Sequence, residues 1–259
     1  MPPILPADFV ASAFSLEGRV AAVTGGASGL GAAIGAGLAQ AGATAALLDA
    51  DAERAAAVAD EIGAGAFAVC CDVTDSASVA DAATEVLARC DRIDVLVNSA
   101  GTAFRSPAEE FPEEQLDRVL AINLKGTYLA CQAFGREMLA RRRGSIVNIA
   151  SIGGFVAYPH ASAYLASKGG VVQLTRALAL EWIGRVRVNG IAPTLFDTPL
   201  TSQGERRSTV TSDFIAARSL RDGLAQPSQI VGAAVFLASD ASELVTGHTL
   251  PVDDGYLIA

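Results

Sequence analysis

The chain has 259 residues, of which 51% are hydrophobic, and this length and composition fit one compact α/β domain with a substantial buried core. Its formal net charge of −9 argues against a surface that binds nucleic acid or an anionic membrane, because both partners are themselves negative. The sequence therefore predicts a small-molecule partner.

Cysteines and histidines bear on the redox compartment and on metal binding. The four cysteines show no Cys-x-x-Cys spacing, so we expect free thiols in a reducing cytoplasm, at Cys70, Cys71, Cys90 and Cys131. The two histidines, His160 and His248, are too few and too far apart for a zinc motif, so we predict no catalytic metal.

The N-terminal segment, residues 1–15, contains prolines and has no basic region. It lacks the pattern of a signal peptide or membrane anchor, and we predict a loose tail ahead of a single domain at 16–259. The longest apolar span, Gly31 to Leu48, contains several glycines and suits a buried helix, turn and strand better than a bilayer crossing.

A first strand, Arg19 to Thr24, runs into a glycine-rich turn, Gly25 to Gly31, which opens a helix reaching about Gln40. Glycines let the backbone approach a pyrophosphate closely, while the free N–H groups of the helix start attract its negative charge. Such a turn can also be a plain strand-to-helix connection, but the context favours a phosphate cradle.

That context is a second strand, Thr44 to Leu48, which ends in Asp49 about 20 residues past the glycines. A dinucleotide-binding fold places at this point the acid that holds the adenosine ribose. The alternative for Asp49 is a cap on the next helix, and the spacing favours the ribose role.

Strands and helices go on alternating along the chain. We predict helices at 51–62 and 76–90, and strands at 66–71, followed by Asp72 and Val73, and at 94–97, followed by Asn98. Repeated strand–helix units with right-handed crossovers predict a Rossmann-type, doubly wound parallel sheet with helices on both faces.

Two predicted helices, 112–141 and 164–182, carry apolar residues on more than one face. A helix that is apolar beyond one stripe needs burial on a second side. We therefore expect a homodimer or homotetramer in which a partner subunit covers these helices.

The strand Ser145 to Ser151 is a short apolar run, and Ser151 at its carboxyl end would face the ligand crevice of an open α/β sheet. Tyr164 and Lys168 follow at a spacing of four, so a helix would place both side chains on one face. A neighbouring cation favours the phenolate over the phenol, which suits proton transfer. A lone Tyr-x-x-x-Lys occurs often by chance, and Ser151 strengthens the interpretation.

The C-terminal third supplies strands at 186–191 and 249–252 and a helix at 227–237. Between them, residues 194–221 have the weakest periodicity, and we predict a mobile substrate lid there. Its arginines, Arg206, Arg207 and Arg218, could meet an acid group, although solvated surface is the simpler interpretation.

Together these residues resemble the short-chain dehydrogenase/reductase superfamily over nearly the whole chain from about Leu16. Thr24-Gly25 with Gly29 and Gly31 resembles the T-G-x-x-x-G-x-G cofactor motif, and residues 98–101 resemble N-N-A-G. The resemblance implies a seven-stranded sheet of order 3-2-1-4-5-6-7, packed into dimers or tetramers through the two helices noted above.

The resemblance also implies residue roles. Ser151 would hold the substrate oxygen, Tyr164 would exchange the hydroxyl proton, and Lys168 would favour the ionised tyrosine and bind the nicotinamide ribose. Asn123 would anchor a proton-relaying water. Substrate would contact Ser151 and Tyr164. From the sequence that follows Ser151, we expect the pocket to be lined by Phe155, Val156, Tyr158 and His160, with a solvated loop residue as the alternative for His160. The cofactor would contact Gly25, Ser28, Gly29, Leu30, Gly31, Asp49, Asp72, Val73, Asn98, Ala100, Gly101, Tyr164, Lys168, Pro193 and Thr198.

Three positions depart from the family pattern. Ser99 replaces an asparagine, Thr194 stands where glycine usually follows the proline, and Asp254 replaces a glycine near the C-terminus. A Cβ at Thr194 is expected to restrict the backbone beside the nicotinamide.

The function that the resemblance implies is NAD-dependent interconversion of a secondary alcohol, a polyol, sugar or hydroxy acid, with its carbonyl compound. A reductase of 3-oxoacyl thioesters of acyl carrier protein or CoA is the alternative, but such enzymes commonly use NADP and carry a basic residue where this chain has Ala27 and Ser28. A non-catalytic NAD-binding regulator is less favoured, since such proteins tend to lose the tyrosine or the lysine.

Overall fold

Seven strands form one parallel sheet in the order β3-β2-β1-β4-β5-β6-β7, which confirms the predicted topology. The computed structural model describes residues 5–202, 209–220 and 223–259. Branched and small apolar residues dominate the central strands because the sheet is buried on both faces. The strands are β1 Val20–Thr24, β2 Thr44–Asp49, β3 Phe67–Cys70, β4 Val95–Asn98, β5 Ser145–Ile149, β6 Arg187–Pro193 and β7 Thr249–Val252.

Helices cover both faces of this sheet. One face packs against α4, α6 and α7 through a core that includes Phe134 and Leu178, and the other packs against α2, α3 and α10 through a core that includes Leu38 and Leu237. The α-helices are α1 Phe9–Phe14, α2 Gly29–Gln40, α3 Ala52–Ile62, α4 Ser76–Cys90, α5 Glu113–Leu120, α6 Gly126–Arg141, α7 Ser162–Glu181, α8 Pro199–Ser202, α9 Thr209–Ala216 and α10 Val231–Ala238.

The strand register brings the chemically important loops to one edge of the sheet. Thr24 of β1 pairs with Leu48 of β2 and Asn98 of β4, and Asn98 pairs in turn with Asn148 of β5. Strand order reverses between β1 and β4, and ligands of open α/β sheets bind at the carboxyl ends beside such a switch point.

The predicted helix at 112–141 is interrupted in the structure. A π-helical turn, Ala121–Lys125, separates α5 from α6. Apolar residues continue through 112–141 in the sequence, so their pattern predicted one unbroken helix. Single π turns often mark functional positions, and Asn123 lies in this one.

Two less periodic segments contain helices that the sequence did not indicate. The predicted tail includes α1, whose Phe14 ring lies 6.2 Å from the Phe236 ring. The predicted lid includes α8 and α9, whereas Arg206 and Arg207 lie outside the described residues. Within the described ranges, no helix is long and apolar enough to cross a membrane.

Candidate active site

A cavity of about 980 Å³ lies at the carboxyl edge of the sheet. Its walls come from the loops after β1, β2, β3, β4, β5 and β6, together with residues of α7 and α9. This is the crevice in which open α/β sheets bind their ligands.

The glycine-rich loop after β1 has a backbone that side chains would obstruct. Gly25 and Gly29 have positive φ angles of 68° and 54°. A Cβ at Gly31 would lie 2.1 Å from the Gly25 carbonyl oxygen, and one at Gly25 would lie 2.8 Å from the Ala100 Cα. The loop therefore offers bare backbone and the start of α2 to an anionic group, as a pyrophosphate requires.

The Thr24 hydroxyl joins two of the cavity loops. Its Oγ1 accepts hydrogen bonds from the N–H groups of Ser99, at 3.1 Å, and Ala100, at 3.2 Å. Ser99, which replaces the usual asparagine, contributes here through its backbone, so its side chain can vary without loss of this contact.

Asp49 ends β2 and lines the cavity. Its Oδ2 accepts a hydrogen bond from Ala27 N–H at 3.1 Å, and its Oδ1 accepts one from Asp51 N–H at 3.1 Å. The carboxylate is thus held beside the glycine-rich loop. The helix cap that was the alternative for Asp49 is supplied by Asp51, which accepts from Arg54 N–H.

Most of the other predicted cofactor residues also line the cavity. They are Gly25, Ser28, Gly29, Leu30, Gly31, Asp72, Val73, Ala100, Gly101, Tyr164, Lys168, Pro193 and Thr198. Small or conformationally permissive residues border the phosphate cradle, and Asp49 stands beside it. This arrangement fits a bound dinucleotide.

Asn98 is the exception among the predicted cofactor residues. It is buried inside the sheet, where its Nδ2 donates to the Asn148 Oδ1 at 2.8 Å and to the Cys131 Sγ at 3.2 Å. Burial raises the pKa of the Cys131 thiol to about 12. Asn148 in turn donates to the Thr175 hydroxyl of α7 at 3.0 Å. Asn98 therefore links β4, β5 and α7, and its side chain does not face the cavity.

Ser151, Tyr164 and Lys168 meet at the cavity wall, and all three are buried. The Lys168 Nζ donates a hydrogen bond to the Ile149 carbonyl at 2.7 Å and lies 5.9 Å from the centroid of the Tyr164 ring. Burial lowers the pKa of Lys168 from 10.5 to about 8. The Ser151 Oγ accepts from Gly153 N–H at 3.0 Å, which fixes the hydroxyl at the end of β5.

Asn123 lies beneath this site and is fully buried. Its Oδ1 accepts from Thr102 N–H at 2.8 Å, and its Nδ2 donates to the Thr102 carbonyl at 2.9 Å and to the Ser167 hydroxyl at 3.0 Å. The side chain thus clamps the loop after β4 onto α7. In this arrangement Asn123 positions its neighbours and does not line the cavity.

The predicted substrate residues Phe155 and His160 are not among the described residues that line the cavity. Phe155 is 42% exposed, and His160 lies in a turn with a positive φ of 60°. Turn residues have no periodicity from which the direction of a side chain can be read. The prediction placed both residues on the pocket wall, and the structure places neither there; Val156 is likewise not among the described lining residues.

Tyr158 lines the cavity as predicted, and so does Arg105, which was not predicted. The Tyr158 phenol is hydrogen-bonded to Ser151 and Arg105, and burial raises its pKa well above the ordinary range, so it stays protonated. Arg105 lies four residues after Gly101 in an irregular loop. In the sequence, Arg105 is visible only as a single cationic residue shortly after the motif at residues 98–101.

The two remaining departures from the family pattern have different outcomes. Thr194 lines the cavity without a positive φ, and its N–H donates to the Val252 carbonyl at 3.2 Å, so its Cβ is accommodated without strain. Asp254 has a φ of 52°, a conformation that glycine adopts more easily.

A dinucleotide cradle beside a buried serine, tyrosine and lysine defines an oxidoreductase that uses a nicotinamide cofactor. The family model described as enoyl-(acyl carrier protein) reductase matches residues 25–257. D-threitol dehydrogenase from Mycolicibacterium smegmatis is 47% identical, covering 95% of both chains. Galactitol 2-dehydrogenase (L-tagatose-forming) from Cereibacter sphaeroides is 42% identical, covering 95% of this chain and 97% of the relative.

A solved structure extends the likeness to three dimensions. Gluconate 5-dehydrogenase from Burkholderia cenocepacia, in complex with NADP and tartrate, superposes with a TM-score of 0.90 at 37% identity, covering 96% of this chain and 99% of the other. The chain belongs to the short-chain dehydrogenase/reductase superfamily, as the sequence motifs indicated. It is an oxidoreductase that acts on CH–OH donors.

Proposed function

We propose that this protein is an NAD-dependent dehydrogenase that interconverts the secondary alcohol of a polyol, sugar or hydroxy acid with the corresponding carbonyl compound. The observation that carries the proposal is the buried set of Ser151, Tyr164 and Lys168 in one cavity with Asp49. The names of the relatives, which specify threitol, galactitol and gluconate, support this range of substrates.

Each residue has a chemical task in this proposal. Ser151 donates a hydrogen bond to the substrate oxygen, and Tyr164 takes the hydroxyl proton during oxidation and returns it during reduction. Lys168 places a positive charge beside the phenol, which favours the phenolate. When bound, the nicotinamide supplies the hydride acceptor. Asn123 holds the loop after β4 against α7, so we assign it a positioning role.

The functional test is a substrate panel of polyols, aldoses, hydroxy acids and acyl thioesters, followed through absorbance of the reduced cofactor. We expect oxidation of at least one polyol, sugar or hydroxy acid with NAD. Selective turnover of 3-oxoacyl thioesters would instead support the alternative reductase. The absence of any turnover, together with intact NAD binding, would favour a regulator.

The choice of NAD over NADP rests on the Asp49 carboxylate. A carboxylate can accept hydrogen bonds from the ribose 2′- and 3′-hydroxyls, whereas it repels a 2′-phosphate. The described cations that line the cavity are Arg105, Arg118 and Lys168, and none belongs to the glycine-rich loop. Arg54 is exposed at the start of α3 and is not among the lining residues.

We expect the parent enzyme to prefer NAD by about a hundredfold or more in kcat/KM, because like-charge contact costs several kcal/mol. Asp49→Ser should lose efficiency with NAD and gain with NADP. Asp49→Asn is the matched control, since its amide oxygen can still accept from Ala27 N–H while the charge is removed. Equal use of both cofactors by the parent would show that Asp49 does not reach the ribose.

The homotetramer or homodimer that we propose rests on exposed apolar side chains on the two predicted interface helices and just beyond α7. Leu180 is 74% exposed, Ile183 66% and Tyr128 48%. Symmetric pairing would bury them. Light scattering should give a dimer or tetramer, and Leu180→Glu should shift it toward smaller species, whereas Val10→Glu on α1 should not. A stable parent monomer at micromolar concentration would contradict the proposal.

We propose a cytoplasmic location because of the free cysteines. All four are free thiols; Cys71 and Cys131 are buried, Cys90 is half-buried and Cys70 is exposed. Exposed free thiols persist most readily in a reducing compartment.

A further inference from the structure

Arg105 is a cation in the part of the cavity that contains Ser151, Tyr164 and Lys168. It lies in the loop after β4 and lines the same wall as Ser151. The carbon at the centre of its guanidinium lies 5.1 Å from the centroid of the Tyr164 ring and 5.6 Å from that of the Tyr158 ring. The guanidinium thus lies near two aromatic rings, one of them that of the residue to which we assign proton transfer.

One nitrogen of this guanidinium has no acceptor within the part of the chain that the structure describes. Arg105 is hydrogen-bonded to the Tyr158 phenol, yet its Nη1 is buried and has no hydrogen-bond partner among the described residues. Buried donors are rarely left unsatisfied in native proteins, and an exception calls for a ligand or another explanation. Because the atom belongs to a residue that lines the cavity, a bound ligand can supply the acceptor.

The charges around Arg105 favour an anionic acceptor. Among the described lining residues, the titratable groups nearest in the fold are Tyr158, Tyr164 and Lys168, and none of them is an acid. The carboxylates in that set are Asp49 and Asp72, which follow β2 and β3. In the sheet, β2 lies two strand spacings from β4, which precedes Arg105, and three from β5, which precedes Ser151, or about 10 Å and 14 Å.

We propose that Arg105 binds the carboxylate of a polyhydroxy monocarboxylic acid, so that the substrate is an aldonate and not a neutral polyol. Guanidinium and carboxylate match as a planar, charge-assisted pair. The acid group is recognised and stays unchanged, while oxidation occurs at a secondary alcohol beside Tyr164. This inference rests on the proposed dehydrogenase function and narrows its substrate class.

The test uses aldonates paired with alditols of the same configuration, namely threonate with threitol, galactonate with galactitol, and gluconate with glucitol. Oxidation with NAD and with NADP is measured in the parent enzyme, in Arg105→Met, which keeps an unbranched apolar stem but not the charge, and in Arg105→Lys, which keeps the charge but not the planar fork. Fluorescence titration with NADH reports whether each variant still folds and binds the cofactor.

We expect the parent to prefer one aldonate over its alditol by at least about thirtyfold in kcat/KM, as expected for a desolvated charge pair. Arg105→Met should lose that preference mainly through a higher KM for the acid, and Arg105→Lys should recover part of it. If Arg105 only supported the fold, its replacement would lower kcat/KM for the aldonate and for the alditol of each pair by the same factor.

Three results would overturn the inference. If every alditol is oxidised as well as its aldonate by the parent, Arg105 does not select an acid, although the proposed dehydrogenase function stands. If Arg105→Met keeps the parent preference, another group binds the carboxylate. If no member of the panel is oxidised with either cofactor, the proposed function fails together with this inference.

Discussion

Replacing Tyr164 by phenylalanine should reduce kcat by about a thousandfold, because the change removes the hydroxyl to which we assign exchange of the substrate proton. The ring remains, so its contacts with Arg105 and Lys168 persist, at 5.1 Å and 5.9 Å from the centroid. Cofactor binding should therefore change little. Steady-state kinetics on the best substrate of the panel, with NADH titration alongside, separates the two effects.

Tyr158→Phe is the matched control for this prediction. It removes the second phenol of the same cavity, which is hydrogen-bonded to Ser151 and Arg105 and whose raised pKa keeps it protonated. Removing a hydroxyl that only orients Ser151 should lower kcat much less than removing the hydroxyl that transfers the proton. Near-parent turnover by Tyr164→Phe, or equal losses in both variants, would refute the proposed role of Tyr164.

Lys168→Met should abolish most activity and yet stabilise the fold at neutral pH. Burial lowers the Lys168 pKa from 10.5 to about 8, so the folded protein carries a penalty for the buried charge. At about 1.4 kcal/mol per pKa unit, this penalty is about 3 kcal/mol. Methionine fills a similar volume without charge, at the cost of the hydrogen bond to the Ile149 carbonyl.

The pH dependence of the stability difference follows from linkage. Below about pH 8 both folded and unfolded parent chains hold the Lys168 proton, and the full penalty applies. Between about 8 and 10.5 the unfolded chain binds more protons, so the parent gains stability as pH rises. The Tm advantage of Lys168→Met, on the order of 5 °C at pH 7, should therefore vanish above pH 10. A variant that melts below the parent at pH 7 would contradict the burial penalty.

Residues fixed by strand ends were predictable from the sequence, because the alternation of strands and helices determines which loops share an edge. Ser151 and Asp49 each follow a buried run, and both line the cavity. Tyr164 and Lys168 were predictable for a second reason, since a spacing of four on a helix fixes a common face.

Residues in irregular segments were not predictable in this way. Phe155, Val156, Tyr158 and His160 were all expected on the wall, but of these four only Tyr158 is among the described lining residues. Asn98 ends its strand as predicted, but its amide donates to Asn148 on the neighbouring strand β5, and its side chain does not line the cavity. Proximity in sequence shows which segment lies near the cavity, whereas tertiary contacts determine which of its side chains line the cavity.

The separation of Asp49 from Ser151 by three strand spacings has a consequence for how this enzyme can be changed. Substitutions more than about 10 Å apart with no shared partner usually have additive free-energy effects. Cofactor preference at β2 and substrate preference beside β5 can therefore drift independently during evolution, each without disturbing the other. A designer could exchange one coenzyme for another and retune the substrate pocket in separate rounds, then combine the two sets of mutations with little epistasis.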